Sequence, residues 1–155
     1  MAKSFDFKRL RRLTTIYLVV QVFLVLLLVY MAMNFQTALQ TEGHPERFLK
    51  SVITTLVIQL ALFYPLNKFA GREAQREVDS CANEISVEEQ KKLRTKRIIG
   101  DSIKTSIFIF FITFIFKAPQ NTFVLSIIFF SFILTILSYV QCYNFAAKRL
   151  MREKG

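Results

Sequence analysis

The sequence is poor in the residues that carry most metal, redox and covalent chemistry. It contains one histidine, His44, two cysteines, Cys81 and Cys142, and no tryptophan. The cysteines show no CxxC or other metal-ligand spacing. A lone histidine before Pro45 in a polar segment is more typical of a solvated side chain than of a ligand or proton relay. We therefore predict no metal site, no cofactor and no disulfide scaffold.

Short motifs of common catalytic sites are missing as well. The sequence has no P-loop, GxGxxG, HExxH, GxSxG or EF-hand pattern. No carboxylate or arginine lies deep inside an apolar block, which argues against a proton-coupled or voltage-sensing mechanism. We predict no catalytic residue and a protein that is not an enzyme. A membrane enzyme acting on lipid is a minor alternative, because the only carboxylates near apolar segments lie at their edges.

Hydrophobic residues, in contrast, are abundant and clustered. They make up 53% of the 155 residues, and the mean hydropathy is +0.37. A soluble domain of this size would have to bury all of this apolar surface. Since the apolar residues form long blocks without a helical or strand period, the pattern is typical of segments that face lipid. It predicts an all-α membrane protein.

Four blocks predict transmembrane helices at about residues 14–35, 49–69, 98–116 and 122–143. Each block can cross ~30 Å of hydrocarbon at about 1.5 Å per helical residue. Together they predict one transmembrane domain over residues 1–155, a four-helix bundle built from two hairpins. Outer links are expected at 36–47 and 117–121. Pro65 should kink or loosen the second helix near its inner end.

The charge distribution predicts an orientation. The formal net charge is +10, and the N-terminal tail, residues 67–97 and the C-terminal tail carry 5, 8 and 4 of the Lys and Arg residues. The two outer links, at 36–50 and 117–121, carry 2 and 1. By the positive-inside rule both termini and residues 67–97 are cytoplasmic, in a cell inner (plasma) membrane. Because the positive charge lies at the ends of apolar blocks, we expect no nucleic-acid partner.

Residues 70–97 are predicted to extend the second and third membrane helices into a cytoplasmic charged hairpin. Ala70, Ala74 and Val78 begin a weak amphipathic stripe that continues to Ile85. Ser86 and Glu89 have the S-x-x-E spacing of a capping box, so a new helix should begin at Val87. A solvated loop is the alternative.

Opposite charges should set the register of this hairpin. The acidic residues of its first arm are Glu73, Glu77 and Asp79, and they fall opposite the basic run at 91–97. Because exposed ion pairs contribute only about 0–1 kcal/mol, they guide register more than they stabilise. The candidate residues for docking a protein partner are Arg72, Arg76, Glu77, Lys91, Lys92 and Arg94.

The N-terminal segment 2–13 mixes five basic residues with four apolar ones, Phe5, Phe7, Leu10 and Leu13. This mixture suits a segment lying on an anionic lipid surface. A disordered basic leader that only sets orientation is an equal alternative.

Polar residues inside the blocks recur at helical spacing. Ser51, Thr55 and Gln59 share one face of the second helix, which should turn toward other helices. A small polar face on the fourth helix should leave Phe129, Ile133, Ile136 and Val140 facing lipid. Asp101 and Lys104 are predicted to form an i, i+3 salt bridge at the membrane interface. The candidate polar bundle or pore-lining residues are Gln21, Gln59, Asp101, Lys104, Ser131, Thr135 and Ser138.

The order of features is similar in outline to that of ATP synthase I-type assembly proteins. The similarity rests on Pro65-Leu-Asn67 at the end of the second block and Gly100-Asp101-x-x-Lys104 at the start of the third. The chain departs from that family in lacking a glycine-rich second helix and in its longer charged connection. The resemblance is too limited to assign the family.

Two functions fit these observations. The first is a non-enzymatic accessory or scaffold protein of the membrane, a subunit of a complex or a homo-oligomer, that docks through the charged hairpin. The second is a small oligomeric channel or transporter lined by the polar faces of the second and fourth helices.

Overall fold

The computed structural model describes residues 5–118 and 120–155, and this part of the chain is all-helical. Its four helices are α1 (Lys8–Thr41), α2 (Glu46–Asp79), α3 (Val87–Lys117) and α4 (Thr122–Lys154). All four are long and apolar enough to cross a membrane. In the described ranges the only strand-like pairing is one isolated bridge between Phe5 and Ala82. The predicted four helices are confirmed.

The helices are longer than the apolar blocks that predicted them. They contain 31 to 34 residues, or about 50 Å at 1.5 Å per residue, against ~30 Å of hydrocarbon. Helix α1 continues to Thr41, through the first half of the predicted outer link at 36–47. The chain then turns at Gly43, whose φ of 78° favours glycine. Helix α2 continues without interruption through Pro65 to Asp79.

Helix α4 is the centre of the bundle. It packs along α2, and it also contacts α1 and α3. Its Phe130 ring meets the rings of Phe35 on α1 and Phe48 on α2. The prediction that Ile133 and Val140 face lipid is wrong, because they are only 3% and 4% exposed. A central helix is covered on several faces, so its apolar residues face protein as well as lipid.

One end of the bundle, which we call the charged end, brings together the start of α1, the end of α2, the start of α3 and the end of α4. Phe7 and Leu10 pack there in one apolar cluster with Ala70, Ala74 and Val78 of α2 and with Tyr143, Ala146, Ala147 and Leu150 of α4. The predicted amphipathic stripe of α2 therefore faces the interior as far as Val78.

The N-terminal segment is part of this cluster. Of the segment 2–13, residues 2–4 lie outside the described residues. The Asp6 N–H donates to the Cys81 carbonyl at 2.9 Å, and Leu10 is 2% exposed. For residues 5–13 both predicted alternatives, a surface-lying segment and a disordered leader, are wrong, because Phe7 and Leu10 are buried by α2 and α4 and Phe5 and Leu13 pack, half-buried, against the same cluster.

The turn between α2 and α3 covers residues 80–86. Helix α2 ends at Asp79, six residues before the predicted end of its amphipathic stripe at Ile85. The stripe stops early because the chain at Cys81 and Ala82 pairs with the N-terminal segment instead. The predicted capping box is confirmed: the Glu89 N–H donates to Ser86 Oγ at 3.2 Å, and the Ser86 N–H donates to Glu89 Oε2 at 3.3 Å.

Helix α3 is the peripheral helix. Gly100 is its only buried residue among those described. In its apolar half it contacts α4 through the Phe108 and Phe111 rings, which pack on Phe132. The remaining isoleucine and phenylalanine side chains are largely exposed, as expected for a helix surrounded by lipid.

Candidate functional site

A buried ion pair lies where α2 and α3 meet at the charged end. Glu73 and Arg76 are one turn apart on α2 and are 5% and 7% exposed. The two guanidinium NH groups each donate to one oxygen of the Glu73 carboxylate. Charges buried this far are stable only when paired and hydrogen-bonded, and this bidentate geometry provides both.

Cationic side chains of α3 complete the network. Arg97 Nη2 lies 2.9 Å from Glu77 Oε2, and Lys104 Nζ lies 3.2 Å from Glu73 Oε2. From α2, the Arg76 side chain reaches α3 and donates to the Lys96 carbonyl at 3.0 Å. Of the acidic residues predicted to face the basic run at 91–97, Glu77 meets it, through Arg97.

Two members of the predicted pairing behave differently. Asp79 pairs with Lys154 of α4 at 2.6 Å, and Glu73 reaches Lys104, beyond the basic run at 91–97. The predicted pair of Asp101 and Lys104 is present at 2.7 Å. Through Lys104 this pair joins the buried network and does not stand alone at the surface.

Gly100 allows α3 to approach the ion pair. A Cβ at this position would overlap Glu73 Oε1 and lie 2.8 Å from Arg76 Nη1. Since real Cβ atoms do not approach other atoms so closely, any other residue would require the buried, paired ends of Glu73 and Arg76, or α3 itself, to shift. This role follows from a contact between distant residues, so it had no signal in the sequence beyond the glycine itself.

The network borders a cavity of about 210 Å³, which we call the charged chamber. All four helices line it, with Arg9, Tyr17, Arg76, Lys104, Tyr139 and Tyr143 among the lining residues. Tyr143 is 2% exposed. Within the described part of the chain, neither its hydroxyl nor Arg76 Nε has a hydrogen-bond partner. Both are therefore buried donors that the described chain leaves unused.

The predicted docking residues divide into two groups. Arg72 of α2 and Lys91, Lys92 and Arg94 of α3 are exposed. Arg76 and Glu77 are not available for docking, because the first is buried and the second is held by Arg97 with 13% of its side chain exposed. Their assignment to a docking surface is corrected: the approach of α3 at Gly100 encloses them.

The polar faces of α2 and α4 face each other inside the bundle. Ser51 and Thr55 are 0% and 1% exposed. Gln59 Nε2 donates to Ser138 Oγ at 2.7 Å and, more weakly, to the Leu134 carbonyl at 3.4 Å. These contacts join α2 to α4 within one protomer.

The other candidate polar residues are distributed along the same bundle. Ser131 and Thr135 are buried on α4, and among described residues their hydroxyls have no partner. Gln21 is half-buried on the face of α1 that also carries Thr14 and Leu24. Among the described residues, Gln21 makes no hydrogen bond with Gln59 or Ser138.

The remaining chemically active side chains form no further site. His44 lies 3.6 Å from Glu46 in the exposed turn at the opposite end. Burial raises the pKa of the Cys81 thiol, and the Glu77 carboxylate acts in the same direction, so this thiol is protonated at neutral pH. Over residues 5–118 and 120–155, no group of three His, Cys, Asp or Glu side chains is placed to hold a metal ion.

No protein-family model, curated protein or solved structure matches the chain.

Proposed function

We propose that the chain is a non-enzymatic, multi-pass accessory or scaffold protein of the cell inner (plasma) membrane, with the charged end in the cytoplasm. The four long apolar helices support insertion. The contacts of Phe7 with the α2 and α4 cluster and of Arg97 with Glu77 gather the three basic segments at one end. By the positive-inside rule that end is cytoplasmic.

The docking surface of this proposal is the first part of α3. Lys91, Lys92 and Arg94 are exposed there, on a helix whose start is capped by Ser86 and Glu89. The Arg97 and Lys104 ion pairs hold the next turns of α3 on α2. A row of cations on an ordered helix is suited to an acidic surface of a partner protein or of a second protomer.

One observation carries the proposal: the buried network holds α3 on α2 and leaves the three cationic side chains at the start of α3 exposed. We expect the simultaneous replacement of Lys91, Lys92 and Arg94 by alanine to reduce recovery of the bound partner at least tenfold. Three lost charge contacts at about 0.5–1 kcal/mol each predict a change of this order. The measurement is affinity purification from native membranes in mild detergent, with bound proteins quantified by mass spectrometry.

A matched control is the replacement of Lys8, Arg11 and Arg12 by alanine. These residues are also exposed at the charged end, and the change in charge is the same. This variant should retain the partner. Equal recovery with the α3 variant and the wild type, or purification of the wild type as a lone monomer, would contradict the proposal.

One observation supports the alternative function, a small oligomeric channel or transporter. Gln59 Oε1 and the Ser131 and Thr135 hydroxyls are buried without a hydrogen-bond partner in the described chain. However, the Gln59 and Ser138 contact closes the α2 and α4 faces on each other, so a pore would need a different lining or a rearranged oligomer. We expect no ion flux after reconstitution into liposomes. A flux that Gln59→Leu or Ser138→Leu reduces would favour the channel instead.

A further inference from the structure

The charged chamber has more cationic than anionic groups. Each carboxylate around it is already paired: Glu73 with Arg76 and Lys104, Glu77 with Arg76 and Arg97, and Asp101 with Lys104. Arg9 also lines the chamber and has no partner among the described residues. Arg9 is exposed, and its unpaired charge on this wall favours an anion that accepts hydrogen bonds.

The chamber adjoins an apolar groove of about 350 Å³. The two spaces share Tyr17, Lys104 and Tyr139 on their walls. Beyond these residues the groove is lined almost entirely by carbon, including the rings of Phe108 and Phe132. It exists because α3 packs loosely on α4 in its apolar half. A polar chamber beside an apolar groove matches an amphipathic ligand.

We propose that this composite site binds one anionic glycerophospholipid, with its phosphate in the charged chamber and an acyl chain in the groove between α3 and α4. The position along the helices fits this occupant. The chamber lies at the boundary between the charged end and the apolar blocks, where a cytoplasmic-leaflet headgroup would lie. Lys104 at the junction of chamber and groove can contact the phosphate while its aliphatic stem follows the chain.

Charge distinguishes this occupant from a zwitterionic lipid. A phosphate monoanion neutralises Arg9 and accepts hydrogen bonds from its guanidinium group. The choline or ethanolamine cation of a zwitterionic lipid would be repelled by the same cluster. A soluble phosphate would use the chamber and leave the groove empty, so it should bind more weakly than the lipid.

The inference rests on the membrane insertion proposed above, which is tested first by recovering the protein in carbonate-washed membranes. The protein is then extracted, delipidated in detergent and mixed with equal amounts of phosphatidylglycerol and phosphatidylcholine. Native mass spectrometry quantifies the bound lipid. We expect one phosphatidylglycerol per protomer, with at least tenfold preference over phosphatidylcholine, and no comparable occupancy by inorganic phosphate alone.

Two pairs of variants locate the site. Arg9→Gln should reduce phosphatidylglycerol binding about tenfold, the usual effect of removing one charge-assisted contact, while Arg12→Gln on the same turn of α1 should not. Val20→Trp should block the groove that Val20 lines, while Val19→Trp, on the exposed neighbouring residue, should bind normally. Circular dichroism confirms that each variant is folded.

Several outcomes would overturn the site. Equal binding of the two lipids would contradict the headgroup assignment. Equal occupancy by inorganic phosphate would contradict the proposed role of the acyl chain. Unchanged lipid binding in Arg9→Gln and Val20→Trp would mean that the lipid binds elsewhere on the protein. Failure to recover the protein in washed membranes would instead contradict the proposed insertion.

Discussion

Replacing Glu73 by glutamine is expected to lower the free energy of unfolding by about 3 kcal/mol, the low end of the range for breaking a buried ion pair. The substitution leaves Arg76, which is 7% exposed, without its bidentate partner. Glu77 and the Lys96 carbonyl still contact Arg76, which limits the loss. Because the chain has no tryptophan, unfolding in detergent is followed by circular dichroism.

Two further variants make this result specific to the buried pair. In a double variant with Glu73→Gln and Arg76→Met, the uncompensated charge is removed, so the loss should be smaller than the sum of the two single losses. Asp101→Asn breaks an ion pair whose carboxylate is 58% exposed and should cost less than about 1 kcal/mol. Additive losses in the double variant would contradict the buried network.

Gly100→Ala is the second change with a large expected effect. It should lower the stability of the protein, whereas Gly71→Ala should raise it. In a helix, alanine is usually more stable than glycine by about 0.5–1 kcal/mol. At Gly71 a Cβ meets no atom within 4 Å, so the protein should gain about this amount. At Gly100 the Cβ overlaps Glu73, and overpacking should cost about 1–3 kcal/mol.

The two glycine variants are compared by thermal unfolding in the same detergent. Equal stability of the two alanine variants would mean that α3 does not approach α2 at Gly100.

Local features of the fold were predictable from the sequence. Block length and hydropathy predicted the four helices, and the spacing of Ser86 and Glu89 predicted where α3 begins. The i, i+3 spacing of Asp101 and Lys104 predicted their ion pair. Each of these depends on residues within one or two turns of each other, where helical geometry alone fixes the contact.

Contacts between helices were not predictable in the same way. Lipid tails and protein interiors are equally apolar, so hydropathy could not tell that Ile133 and Val140 face protein. Arg76 and Glu77 resemble surface residues in sequence, and only the closeness of α3 at Gly100 encloses them. The docking of Phe7 and Leu10 likewise depends on partners on α2 and α4 that are distant in the chain.

We propose that four helices cross the membrane with the charged end in the cytoplasm. Single cysteines at Lys91 and at His44, in a background without Cys81 and Cys142, test it in intact cells with a membrane-impermeant maleimide. We predict that the cysteine at position 44 is labelled from outside and that the cysteine at position 91 is labelled only after permeabilisation. Labelling of position 91 in intact cells, or of neither position before permeabilisation, would contradict the claim.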